Sequence, residues 1–451
     1  APAAESDEPV GVPEVPGLPG FVDTHLHLMH YSFLQSFVQL FGVKSPTEII
    51  ARGREFADLH GVKRGFMLGW GWDQNKFDGD RRFPTRRDLD KISTKFPIIF
   101  SRVCGHVVAL NSAALKQVLA LPEAMDLREF INEEDGVLLE TAAMLYTKLL
   151  GDFSGEEIEE FILRGQKDFN RAGITSIHSV DFLALPGASW QSIVEAYERL
   201  DAAGKLTART YEQCMFNEPE LLDEFLAAGR RTGQGSDMFR IGPVKLMVDG
   251  SLGARTAWLN EPYSDAPSVL GKQVFAPEVL RAMAQKSLDN NMQLALHGIG
   301  DRAIETAIEL VTTLDARADN PARHGIIHAQ LTNERSLAAM RAANLVAFIQ
   351  PVFIDADMNI AEARVGAERL NKAYAWKTMR DIGIVTVGGS DSPVEPFDVL
   401  ENIYFAVTSK NRSGLPAEGW MPQERLTVDE AVRLFTADAV YPSFMEDRLG
   451  T

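Results

Sequence analysis

From residue 21 onward the chain alternates short, nearly unbroken apolar runs with longer stretches whose apolar residues recur every three or four positions. Runs of the first kind suit strands covered on both faces. Stretches of the second kind suit helices that lay one stripe against those strands, which is the pattern of a parallel α/β protein. Eight runs qualify: Phe21–Leu28, Gly173–His178, Thr207–Phe216, Gly242–Asp249, Met292–His297, Gly325–His328, Leu345–Ile349 and Ile384–Asp391. Helix-length segments separate them, as near residues 155–171 and 190–203. Eight such units predict a (β/α)8 barrel of the TIM type, a fold that gathers its reactive groups at the C-terminal strand ends.

The region from about 61 to 150 breaks this rhythm, with a turn-rich segment at Trp70–Asn75 and a strand-like Phe96–Phe100. It is expected to be an insertion folded over one mouth of the barrel. The expected organisation is a Pro-rich lead-in at 1–20, a first βα unit at 21–60 and the insertion at 61–150. The rest of the barrel then occupies 151–425, and a helical segment ends the chain at 426–451.

Composition narrows the class. With 451 residues, 45% apolar and 24% charged, the chain has the make-up of a globular protein with a large core. A formal charge of −18 argues against nucleic acid or an anionic membrane as partner. Two cysteines, Cys104 and Cys214, form neither a disulfide framework nor a Cys-x-x-Cys metal site, which suits a reducing compartment. No apolar run is long enough to cross a bilayer, and no signal-peptide pattern is visible. These features lead to the expectation of a cytoplasmic protein acting on a small molecule, with homo-oligomerisation left open.

The run ends carry the chemistry. The first ends in His25 and His27, which are two apart and so point the same way from a strand. The fifth ends in His297, the sixth in His328 and the eighth in Asp391. Of nine histidines in the chain, four fall at these ends, where a barrel turns them to one face. Neutral imidazoles are the commonest metal ligands, and together these residues favour a metal site. Lys245 lies inside the fourth run, where an unpaired ammonium is costly to bury. One reading is a lysine whose stem reaches solvent. The other is a desolvated amine of lowered pKa that adds carbon dioxide, becoming a carbamate able to bridge two divalent ions about 3.5–4 Å apart.

The order His-x-His, lysine, histidine, histidine, aspartate over eight strands resembles the amidohydrolase superfamily. Finer motifs resemble its branch of N-substituted formamide deformylases and related metal-dependent amidohydrolases. They are GFVDTHLHL at 20–28, RVCGHVVALNSAAL at 102–115, VKLMVDGSLGARTAWL at 244–259, LHGIGDRA at 296–303, RHGIIHAQ at 323–330 and GGSDSPVEP at 388–396. The resemblance implies a metal set of His25, His27, Lys245, His297, His328 and Asp391. In it His25 and His27 hold the more buried ion with Asp391, His297 and His328 hold the more exposed one, and carboxylated Lys245 lies between. The implied cofactor is a divalent metal, zinc first, as one or two ions. Asp391, Lys245 and His328 are the implied catalytic residues, with Asp391 the base that deprotonates a metal-activated water and the acid that protonates the leaving nitrogen.

Weaker candidates surround this set. His106, Arg255 and Trp72 are taken as substrate-binding, against the plainer readings of a loop-tying arginine and a core tryptophan. Asp301 and Arg302 are expected to pair and orient His297, and His178 to support a ligand or touch substrate. The implied activity is hydrolysis of a non-peptide C–N bond, an amide or formamide, in a small molecule. Lactone or ester hydrolysis on the same site, and a catalytically silent metal-binding barrel, stay open as alternatives. Relatives in this superfamily carry a small accessory β-sandwich, which is expected to be truncated or absent in the given chain.

Overall fold

The computed structural model describes residues 17–315, 317 and 319–450, so most of the Pro-rich lead-in lies outside the described residues. The chain forms two compact units. The first takes the described residues to His30, then Gly155–Ala184 and the chain from Ser189 on; the second takes Tyr31–Ser154 and Leu185–Ala188.

In the first unit eight strands follow one another in parallel: β1 (Phe21–Leu26), β2 (Ile174–Ser179), β3 (Arg209–Met215), β4 (Phe239–Met247), β5 (Leu294–Gly298), β6 (Gly325–His328), β7 (Val346–Ile349) and β8 (Thr386–Gly388). Each pairs with the next in sequence order, as the alternation of runs predicts. The helices between them bury one stripe. In Gly155–Arg171 the buried positions are Ile158, Phe161, Ile162, Gly165, Gln166 and Phe169, the spacing of a single helical face. Side-chain caps start several of the others: Ser189 accepts from Ser192 N before Trp190–Ala202, and Asn333 forms a capping box before Glu334–Ala342.

The sheet is nearly closed as a barrel, and the seam between β1 and β8 is held by polar contacts. Thr24 Oγ1 donates to Gly388 O at 2.9 Å and Asp391 N to His25 O at 2.7 Å. The buried Asp23 carboxylate accepts from Ser390 N and from His25 N, each at 3.1 Å. Gly389 fits here because a Cβ would come within 2.7 Å of His25 N. On the same seam Val22 N donates to Phe435 O and Gly388 N to Leu434 O, both at 2.8 Å. The C-terminal segment thus straddles the two strands.

The second unit has its own six-stranded sheet, in the order Val38–Gln39, Met67–Trp72, Ile98–Arg102, Val107–Leu110, Val137–Leu139, Ile131–Asn132. The first three strands run parallel and the other pairs are antiparallel. Its core includes Leu40, Ile49, Met67, Trp72, Phe77, Leu89 and Phe100. The unit starts at Tyr31 rather than near residue 61, because Val38–Gln39 pairs with Met67–Trp72 and Ile49 of helix Pro46–His60 joins its core. Among the described residues no helix is long and apolar enough to cross a membrane.

The wholly buried Phe435 fills the space beside Gly388, where a Cβ would lie 2.5 Å from its ring. Phe435→Ala is expected to destabilise the first unit by about 3–5 kcal/mol, read from chemical unfolding. A loss below about 1 kcal/mol would show that the seam does not depend on this ring.

Candidate metal centre

The backbone of β1 turns Asp23 and His25 to one side and Val22 and Thr24 to the other, as the two-residue strand period requires. The strand stops at Leu26, so His27 lies in the single residue before helix Leu28–Leu34. His297 and His328 stand in the last residues of β5 and β6, while Lys245 is two positions deeper along β4 than Met247, the register partner of His297. Asp391 lies three residues past the end of β8, in the loop that the seam contacts draw back against β1.

These side chains form one contiguous cluster. Ring centroids step from His27 to His25 at 5.5 Å, from His25 to His328 at 5.7 Å and from His328 to His297 at 4.6 Å. Asp391 Oδ1 is 3.1 Å from His27 Nε2 and 3.3 Å from His25 Nε2, and Lys245 Nζ is 3.1 Å from His25 Nε2. Ligand atoms of His25, His328 and Asp391 all fall within 4.8 Å of one another, a spacing that suits one metal ion. The structure therefore brings together all six residues of the expected metal set.

What the sequence reading missed is the set of groups behind the imidazoles. His25 Nδ1 lies 2.6 Å from Gln213 Oε1, His328 Nδ1 lies 2.7 Å from Gln350 Oε1, and His297 Nδ1 lies 2.9 Å from Asp249 Oδ1. Each acceptor keeps the proton on Nδ1 and leaves the Nε2 lone pair free, the arrangement of a metal-ligating histidine. Asp249 does more. Its carboxylate also accepts from Ile299 N, Gly300 N and Trp258 N at 3.1, 2.8 and 2.9 Å, tying the loop after β4 to the end of β5. The available signal was position. Asp249 and Gln350 sit at strand ends as the histidines do, but only the histidines and Asp391 were weighed there.

Electrostatics reinforce this geometry. Burial pushes the His25 imidazole down to about 4, helped by Lys245, and burial likewise holds His328 well below the usual range. Both are neutral, as ligands must be. Lys245 is only 3% exposed, and burial lowers its ammonium to about 8, so a fraction is free amine near neutral pH. For Asp391, burial favours the acid, yet the adjoining His25 and His27 imidazoles outweigh it and keep the carboxylate ionised. Two members carry unusual backbone: His328 has φ of +75° and Asp391 of +58°, left-handed conformations that non-glycine residues adopt mainly where surroundings enforce them.

The substrate-side candidates stand differently. Arg255 donates to both oxygens of Asp265, at 3.0 and 2.8 Å, and Arg364 meets the same carboxylate, so its guanidinium ties the loop. His106 and Trp72 belong to the second unit. There His106 is exposed and lies 3.0 Å from Glu140, whereas Trp72 is wholly buried and donates from Nε1 to Phe100 O at 2.9 Å. Trp72 is a core residue of that unit. Asp301 does not orient His297: it accepts from Asn260, while Arg302 lies 4.4 Å over the Trp258 ring. His178 is buried in β2 with its ring 5.1 Å from Tyr211, and neither nitrogen has a hydrogen-bond partner among the described residues.

Replacing Asp249 by Asn halves its capacity to accept and disturbs the tautomer of His297. Asp249→Asn is expected to weaken divalent-metal binding by about 10–100-fold, measured by competition with a chromogenic chelator. An unchanged affinity would remove Asp249 from the centre.

Comparison with known proteins agrees with this reading of the fold. The sequence model of the amidohydrolase family matches residues 18–451. YtcJ of Bacillus subtilis (strain 168) is 31% identical over 425 residues, covering 93% of this chain and 78% of its own. The N-substituted formamide deformylase of Arthrobacter pascens is 24% identical over 445 residues, covering 94% of this chain and 79% of its own. Among solved structures, that of an uncharacterized metal-dependent hydrolase from Pyrococcus furiosus superposes with a TM-score of 0.79 at 30% identity, covering 96% of this chain and 84% of that one. With its barrel and a family match spanning residues 18–451, the chain belongs to the amidohydrolase family.

Proposed function

We propose that this protein is a metal-dependent hydrolase that cleaves a non-peptide C–N bond, an amide or formamide, in a small molecule. The observation that carries the reading is the inward Nε2 set: three buried imidazoles, each backed at Nδ1 by a polar side chain, beside an ionised aspartate. Neutral imidazoles and one carboxylate fit a borderline divalent ion, with zinc the first candidate and iron and manganese compatible. Such an ion, when bound, supplies a Lewis acid for the scissile carbonyl and lowers the pKa of the attacking water.

The chain's own residues supply the rest. Asp391 is ionised and lies 3.1 Å from His27 Nε2, so it can take a proton from the attacking water and return it to the leaving nitrogen. Lys245 reacts as a free amine with carbon dioxide: an N–C bond forms, a proton leaves, and the resulting carbamate presents two oxygens to the centre. His328, fixed between Gln350 and the stacked ring of Phe353, whose centroid is 5.7 Å away, keeps its free nitrogen toward that centre. The choice of an amide over an ester rests on the relationship to the formamide deformylase.

Two experiments test this. Supplied with zinc and bicarbonate, the wild type is expected to hold two ions per chain by elemental analysis, and Lys245→Ala one or none; one ion in both would mean a mononuclear centre with no carbamate bridge. Across a panel of small amides, formamides, lactones and esters, the wild type is expected to turn over the amides or formamides, with Asp391→Asn slower by about 10²–10⁴-fold in kcat/KM. Turnover confined to lactones or esters would overturn the C–N assignment.

A further inference from the structure

His27 is the one histidine of the cluster that lies in neither strand nor helix, since β1 stops at Leu26 and the next helix begins at Leu28. Its ring nevertheless meets Asp391 at 3.1 Å. The first amides of a helix have no partner inside it, and in a seven-residue helix they decide where it starts. Here Leu28 N donates to Ser179 Oγ and Met29 N to Asp181 Oδ1, both at 2.9 Å. Ser179 Oγ donates in turn to Asp181 Oδ1 at 2.8 Å, and Tyr197 OH to Asp181 Oδ2 at 2.6 Å. Behind them Glu212 of β3 accepts from Asp181 N at 2.9 Å, and Val180 N donates to Leu26 O at 2.9 Å.

The network is fully buried and separate from the ligand cluster. Asp181 and Glu212 are both 0% exposed. On β3 Glu212 alternates with Gln213, so while Gln213 reaches inward to His25, Glu212 points to the opposite face, where Tyr197 of helix Trp190–Ala202 meets Asp181. Burial pushes both carboxyls up. An apolar pair would pack there without that penalty, so stability alone does not explain two adjoining acids.

From this geometry we infer that Asp181 is a positioning residue of the metal centre. Its carboxylate fixes the first turn of helix Leu28–Leu34 and so the backbone from which His27 reaches the centre. The assignment rests on the metal-centre reading of the proposed function.

The test uses the full chain and zinc, with affinity read by chelator competition and melting temperature read on the metal-free protein. Asp181→Leu is expected to bind zinc about tenfold or more weakly, and Asp181→Asn, which keeps an acceptor for Met29 N, to stay within about threefold of wild type. Ser179→Ala, which removes the acceptor of Leu28 N, is expected to weaken zinc in the same direction by a smaller factor, and it carries the test if Asp181→Leu does not fold. A purely structural role would lower the melting temperatures and leave zinc affinity unchanged in Asp181→Leu and Ser179→Ala; that result overturns the assignment. Wild-type protein that takes up no zinc overturns the metal centre itself, and the assignment with it.

Discussion

Burying three imidazoles, an amine and a carboxylate together, with the half-buried His27 beside them, is the constraint around which the barrel's upper end is built. Each group loses water, and each is stable inside only in the protonation state its neighbours support. Gln213, Asp249 and Gln350 meet that demand from behind, holding the three most buried rings in one tautomer. From the front, His25 and His27 keep Asp391 ionised. Acceptors on the outside and free lone pairs on the inside leave a site whose unmet valence points to one place.

That arrangement also explains the seam. In a closed parallel barrel the first and last strands must meet, and here they meet at the cluster. Asp23, Thr24 and Gly389 bring the loop after β8 onto β1, which places Asp391 against His25 and His27 although 364 positions separate it from His27 along the chain. The left-handed backbone of His328 and Asp391 belongs to the same design, since both residues turn inward just where their strands give way to loops. Fold closure and site assembly are one event.

Much of this was legible in the sequence, and for physical reasons. Parallel strands buried on both faces write themselves as apolar runs, so β1 through β8 could be found, and a barrel turns their ends to one face, so His25, His297, His328 and Asp391 could be grouped. Less was legible where meaning depends on a distant partner. A glutamine such as Gln213 looks the same whether it meets solvent or an imidazole. Arg255 beside a glycine-rich turn suggests a substrate contact until Asp265 is seen to hold it. The start of the second unit was misplaced because helix Pro46–His60 follows β1 as a barrel helix would. Only the pairing of Val38–Gln39 with Met67–Trp72 reveals that it belongs elsewhere.

The central claim is that the strand-end imidazoles and Asp391 hold a divalent ion. It is tested most directly by X-ray diffraction from crystals of the zinc-loaded protein, with data collected on either side of the zinc absorption edge. The expected result is an anomalous peak enclosed by His25 Nε2, His328 Nε2 and an Asp391 carboxylate oxygen. No peak there, or zinc bound only at surface carboxylates, would contradict the claim.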